Sequence, residues 1–176
     1  TAYRHYLMGR HHLKALDLAN VRRARKWFRS AFQIDPELAR AHSWFANTLI
    51  LEWLMMTGKD PELLDLADGA SRTAINIDPR DGNGHRELAR SALFRGDLQA
   101  SLELFETAEA FAPHFACMLA DYADTLLHNS RLDEAKARID AAFVLNPLPP
   151  DTYHWIAGGI DFMRADFGAA LQHLRR

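Results

Sequence analysis

The chain has 176 residues, 48% of them hydrophobic and 25% charged, with a single cysteine. Those fractions exclude disorder, low complexity and a collagen-like repeat, and Cys117 alone leaves no internal disulfide and no thiolate metal cage. The net charge of −2 divides into +6 over residues 1–40 and −8 over residues 41–176, which points to an electrostatic contact at the basic opening, with a neighbouring domain or a second copy, and is too modest to argue for nucleic acid.

Residues 2–38 follow an opening Thr1 with no initiator Met and no charged-then-apolar leader, which reads as an excised piece or a processed product. The stretch Arg22-Arg23-Ala24-Arg25-Lys26-Trp27-Phe28-Arg29 puts Arg22, Arg25, Lys26 and Arg29 on one helical face and Ala24, Phe28 and Ala31 on the other. Without groove-reading or stacking residues on the basic face, it predicts a solvated or domain-contacting surface and no nucleic-acid role. The phrase Gln33-Ile34-Asp35-Pro36 stops this helix.

Residues 39–81 carry an apolar run from Leu49 to Met56, interrupted by Glu52. It is far short of the roughly 20 residues a membrane span needs, so no membrane role is expected. The run extends a first helix to near Gly58, and Asp60-Pro61 starts a second with a side-chain cap and a proline at the first helical position. Relative to the units that follow, nine extra residues lengthen both helices by about one turn, roughly 5 Å each. They project Trp53, Met55 and Met56, either over an adjacent unit or as an exposed patch.

Residues 82–115 and 116–149 repeat one pattern, and residues 150–176 begin it again and stop inside a second helix. Turn-like stretches at Arg95-Gly96-Asp97, Asn129-Ser130-Arg131 and Arg164-Ala165-Asp166 divide each unit into two helices. Four prolines, Pro36, Pro79, Pro113 and Pro147, end the second helices at spacings of 43, 34 and 34. Counting back from each, small residues recur five and twelve positions earlier: Ala31 and Ala24, Ala74 and Ala67, Ala108 and Ser101, Ala142 and Ala135. Phe28, Ser71, Phe105 and Ile139 recur eight positions earlier, and each first helix holds an apolar residue before alanine, at Phe45-Ala46, Leu88-Ala89, Tyr122-Ala123 and Ile156-Ala157. Antiparallel helices approach closely only where the crossing residues are small, and no single pair buries its apolar stripe alone. The expectation is an all-α solenoid stabilised by stacking.

With this period and pattern, the chain resembles the tetratricopeptide repeat (TPR) proteins over nearly its whole length. The resemblance implies one domain over 1–176, a right-handed superhelix of units 2–38, 39–81, 82–115, 116–149 and an incomplete 150–176. The phrase Tyr3-Arg4-His5-Tyr6-Leu7-Met8-Gly9-Arg10-His11-His12-Leu13 is similar to the start of TPR segments that follow effector domains in bacterial adenylate/guanylate cyclases and winged-helix regulators. That narrower likeness implies the regulatory module of a larger, cytoplasmic signalling protein. The incomplete last unit leaves apolar surface uncapped, so a longer parent chain or pairing with a second copy is expected.

In TPR proteins the first helix of each pair lines a concave face. The family's groove positions fall on Arg40, Ser43, Asn47 and Ile50; on Asn83, Arg86, Arg90, Leu93 and Phe94; on Ala120, Asp124, Leu127 and His128; and on His154, Asp161 and Phe162. The candidate binding residues are Arg40, Asn47, Asn83, Arg86, Arg90, Asp124, His128, His154 and Asp161, facing a protein or peptide partner. The carboxylate clamp of chaperone-tail TPR domains is absent, since its positions hold Ser43, Asn47, Glu87, Cys117 and Asp121 and only Asn47 agrees. Arg86 and Arg90 either bind an acidic partner side chain or pair with Glu87 or another nearby acid.

Asp124 and His128 stand one turn apart, with His154 and Asp161 expected to project towards them. No HExxH or comparable spacing supports a metal there, and no metal or cofactor is expected. His11-His12 reads as the end of an exposed helix, and His42 and His85 occupy one repeat position and help to pack or cap. Cys117 beside His114 lacks a third partner, and Gly158-Gly159 lies within a helix with no preceding strand. No acid/base pair or nucleophile constellation is visible, so the chain reads as a non-catalytic interaction scaffold. The alternative is a self-association module that dimerises an attached effector domain.

Overall fold

A computed structural model describes residues 1–58 and 60–175. Among the described residues ten helices run in chain order: α1 (Ala2–His12), α2 (Leu18–Ile34), α3 (Ala39–Met55), α4 (Pro61–Ile77), α5 (Gly82–Phe94), α6 (Leu98–Phe111), α7 (Ala116–His128), α8 (Leu132–Leu145), α9 (Asp151–Met163) and α10 (Phe167–Leu174). The described residues hold no strand. Each helix packs on the next, and α3, α5, α7 and α9 also touch one another in succession. Helix pairs therefore stack in line as an α-solenoid, with the odd-numbered helices forming one layer and the even-numbered helices the other.

The prolines set the length of each unit. The residue before a proline is driven out of the helical region by the pyrrolidine ring. Accordingly Asp35, Asp78, Ala112 and Asn146 all leave the helix at ψ between 60° and 99°, and α2, α4, α6 and α8 stop just before them. Aspartate side chains start several helices: Asp17 accepts from the Asn20 amide, Asp81 from Asn83 and Gly84, Asp97 from Ala100 and Asp166 from Ala169. The turns inside the last three pairs share a backbone: Gly96, Ser130 and Ala165 all sit at φ between 56° and 84°. Only Gly96 takes that left-handed conformation without steric cost.

Packing follows the small-residue pattern. Ala24, Ala31, Ala67, Ala74, Ser101, Ala108, Ala135 and Ala142 are fully buried at the helix crossings, as are Phe28, Ser71, Phe105 and Ile139. Gly9 gives α1 its close approach to α2, because a Cβ there would lie 2.5 Å from the Phe28 ring. His42 and His85 are equivalent caps: each Nε2 meets the carbonyl of Pro36 or Pro79 at 2.9 or 3.0 Å. The insertion lengthens α3 and α4 to 17 residues each, against 13 and 14 in the next pair. Its tip covers the neighbouring pair through Trp53, stacked on Phe94 at 4.9 Å, while Leu54 and Met56 stay exposed.

On the basic face of α2, Arg22, Lys26 and Arg29 are exposed as a solvated face requires, but Arg25 is drawn inward. Arg22 and Arg25 reach across to Glu52 of α3 at 2.6 Å each, and Arg25 also donates to Thr48 Oγ1 and its carbonyl at 3.0 and 2.7 Å. Burial works to raise the Glu52 pKa, yet hydrogen bonds from Arg22 and Arg25 hold it below the ordinary value. Two of the four face residues are thus a staple between helix pairs. No described helix is long and apolar enough to cross a membrane.

Candidate functional site

One cleft gathers side chains from successive first helices. A cleft of about 220 Å³ is lined by Leu13 and Leu16 from the α1–α2 connection, Trp44, Asn47 and Leu51 of α3, Arg86 and Arg90 of α5, Cys117 and Asp121 of α7, and Pro150, Thr152 and Tyr153 at the start of α9. One hollow therefore spans five successive helix pairs. Trp44 on its wall carries the Arg10 guanidinium 3.7 Å above the ring.

The floor is a network of paired charges. Glu87 is fully buried and accepts from Arg86 Nη1 and Arg90 Nη1, both at 2.9 Å, and from Asn47 Nδ2 at 2.9 Å. Asp121, one helix further on, takes Arg86 Nε at 2.6 Å and lies 3.4 Å from Arg90 Nε through the same oxygen. Arg86 Nη1 also donates to Asn83 Oδ1 at 3.1 Å. Both arginines are only 7% exposed. Burial alone would lower the Arg86 pKa, but the Asp121 and Glu87 carboxylates outweigh it and hold the guanidinium above its ordinary value. Two cations and two anions leave the floor formally neutral.

Of the nine sequence-predicted candidates, the structure brings Asn47, Arg86 and Arg90 to the cleft, with Asn83 buried behind them. Arg40 stands outside it, exposed, with its guanidinium 5.9 Å from the Tyr6 ring. Asp124 and His128 face a separate hollow of about 340 Å³ beside Leu93, Phe94 and Leu98, with 3.7 Å between Asp124 Oδ1 and His128 Nε2. There burial pushes the Asp124 pKa up to about 6, despite opposing attraction to His128 and Arg90; Asp121 adds to the rise. His154 and Asp161 turn towards α10 instead of α7: His154 Nδ1 lies 3.0 Å from His173 Nδ1, and Asp161 Oδ2 lies 3.8 Å from His173 Nε2. Phe143 stacks on His173, so this cluster ties α8, α9 and α10 together. Among the described residues no group of three or more His, Cys, Asp or Glu could hold a metal ion. Cys117 is half-buried and accepts a 3.5 Å hydrogen bond from the Tyr153 hydroxyl.

Of the two expectations for Arg86 and Arg90, the structure shows pairing with Glu87 and a nearby acid; groove positions counted along each helix do not single out Asp121 as that acid, nor predict that the pairs are buried. A signal existed: Arg86 and Asp121 carry opposite charges 35 residues apart, one residue more than a repeat, which puts them side by side on adjacent first helices.

No protein-family model matches the chain, and no curated protein does. Solved structures do match. A thermophilic TPR protein of Thermus thermophilus superposes with a TM-score of 0.76 at 18% identity, over 98% of this chain and 88% of that one. The fold is the TPR solenoid. PilF of Pseudomonas aeruginosa matches this TPR fold with a TM-score of 0.66 at 17% identity, over 98% of this chain and 72% of its own. YrrB, described as a TPR protein with an unusual peptide-binding site, matches at 0.56 and 16% identity, over 89% of this chain and 76% of its own.

Proposed function

We propose that this chain is a non-catalytic interaction module that holds a peptide or partner helix in the cleft between its first helices. The cleft carries this reading: Leu13, Leu16, Trp44, Leu51 and Tyr153 wall a hollow whose floor is polar and rigidly networked. Apolar walls with a few fixed polar groups are what a recognition groove requires. The likeness to YrrB, itself named for a peptide-binding site, supports the same reading. The parent is a larger bacterial signalling protein of the cytoplasm, with a cyclase or winged-helix effector domain; the phrase from Tyr3 to Leu13 supports that part.

The test begins with binders selected from a phage-displayed random peptide library on the immobilised chain. Hydrogen exchange with a selected peptide bound is expected to slow in α3, α5, α7 and α9. Protection confined to α4, α6 and α8 would contradict the proposal.

A second reading is self-association through the α9–α10 face. Trp155, Phe162, Phe167, Leu171 and Leu174 are all exposed there, and the Phe162 and Phe167 rings pair at 5.6 Å. Light scattering over a concentration series should then show a dimer that Phe167→Glu dissociates. A monomer at every concentration removes this reading.

A further inference from the structure

We infer that the cleft selects an uncharged segment, an amide-bearing side chain or backbone amide between apolar neighbours, in preference to an acidic one. This rests on the groove reading above and narrows it to a chemical class. The floor has already cancelled its own charge: the carboxylates of Glu87 and Asp121 are both engaged by Arg86 and Arg90. An incoming carboxylate would lose its hydration and meet no net positive charge on the floor.

What the floor still offers is a mixture of donors and acceptors. Arg86 uses Nε and Nη1, and Arg90 likewise, so among the described residues neither Nη2 has an acceptor. Asp121 binds only through Oδ2 and Asn47 only through Nδ2, which leaves an unused acceptor oxygen on each. All four side chains line the cleft. A carboxylate can only accept hydrogen bonds, so it would leave Asp121 Oδ1 facing a like charge. An amide presents C=O and N–H together and satisfies both kinds of group. The walls of Leu13, Leu16 and Leu51 then call for apolar side chains on either side.

The composition of selected peptides tests this directly. Binders from the random library are sorted by whether Thr152→Trp, at an exposed position on the rim, abolishes their binding. Leu16→Glu, at a second exposed rim position, guards against a variant that blocks nothing. Groove-dependent peptides should be enriched in Asn and Gln between apolar residues, and depleted in Asp and Glu. Asp121→Asn removes one floor anion and should shift selection towards Asp and Glu. Groove-dependent binders rich in acidic residues on the unmodified chain overturn the neutral-ligand inference and leave the groove reading standing. Binders indifferent to both rim substitutions overturn the groove reading itself.

Discussion

The floor of the cleft and the α9–α10 face invert the usual assignment of polar and apolar residues. At the floor, Glu87 is 0% exposed and Arg86 and Arg90 are 7% exposed, while at the far face Trp155 is 65% and Leu174 56% exposed. In a stacked solenoid the burial of a side chain is set by its position in the repeat and by whether a neighbouring pair lies over it. Leu174 occupies the place that Ile139 and Phe105 hold in the preceding pairs. Those two are fully buried because the next first helix covers them. The difference teaches that charge inside is tolerated where each charge meets an opposite one, and that apolar surface outside marks where stacking contacts are missing.

The largest effect should come from breaking the floor network. Glu87→Ala leaves two guanidiniums buried without their shared carboxylate, and should lower stability by about 3–5 kcal/mol in urea denaturation. A loss below about 1 kcal/mol would show the floor to be hydrated and the comparison mistaken. Next comes the pair of equivalent positions. Ile139→Ala should cost about 2–5 kcal/mol and Leu174→Ala less than about 1. Equal losses would mean that the far face is covered in solution, and would turn attention to self-association.

Asp124 supplies a pH-dependent contrast with the ion-paired floor. Its folded-state pKa, pushed up by burial to about 6 from an ordinary 3.8, means that the folded chain holds the proton more tightly than the unfolded one. The ionised carboxylate therefore destabilises the fold above about pH 6, and that penalty fades as the pH falls through this window towards 3.8. Asp124→Asn should accordingly raise stability by roughly 1 kcal/mol at neutral pH and by nothing near pH 4, as followed by thermal melts across that range. The smallest effect belongs to the turns. Ser130→Gly at φ 56° should stabilise by about 0.5–1 kcal/mol, whereas Gly96→Ala at φ 84° should destabilise.

Much of the fold was legible because it depends on local rules repeated several times. Proline after an extended residue, alanine at crossings and a small or polar residue in the turn each act within one unit, and the register between units exposes them. The length added to α3 and α4 was legible for the same reason. The candidate site was only partly legible, since its chemistry lies between units. Nothing in the basic face of α2 pointed to Glu52, which pairs with both Arg22 and Arg25 and draws Arg25 inward. His154 and Asp161 sit at groove positions by count, but α9 turns them towards His173 and Phe143. Side-chain length and rotation decide such pairings, and neither is fixed by periodicity.

The self-cancelled floor is the claim on which the functional reading turns, and the salt dependence of binding tests it most directly. The dissociation constant of a groove-dependent peptide should change by less than about twofold between roughly 50 and 500 mM NaCl on the unmodified chain, and weaken by about tenfold on Asp121→Asn with an acidic peptide. A steep loss of affinity with salt on the unmodified chain would contradict it, because only a floor with net charge responds in that way.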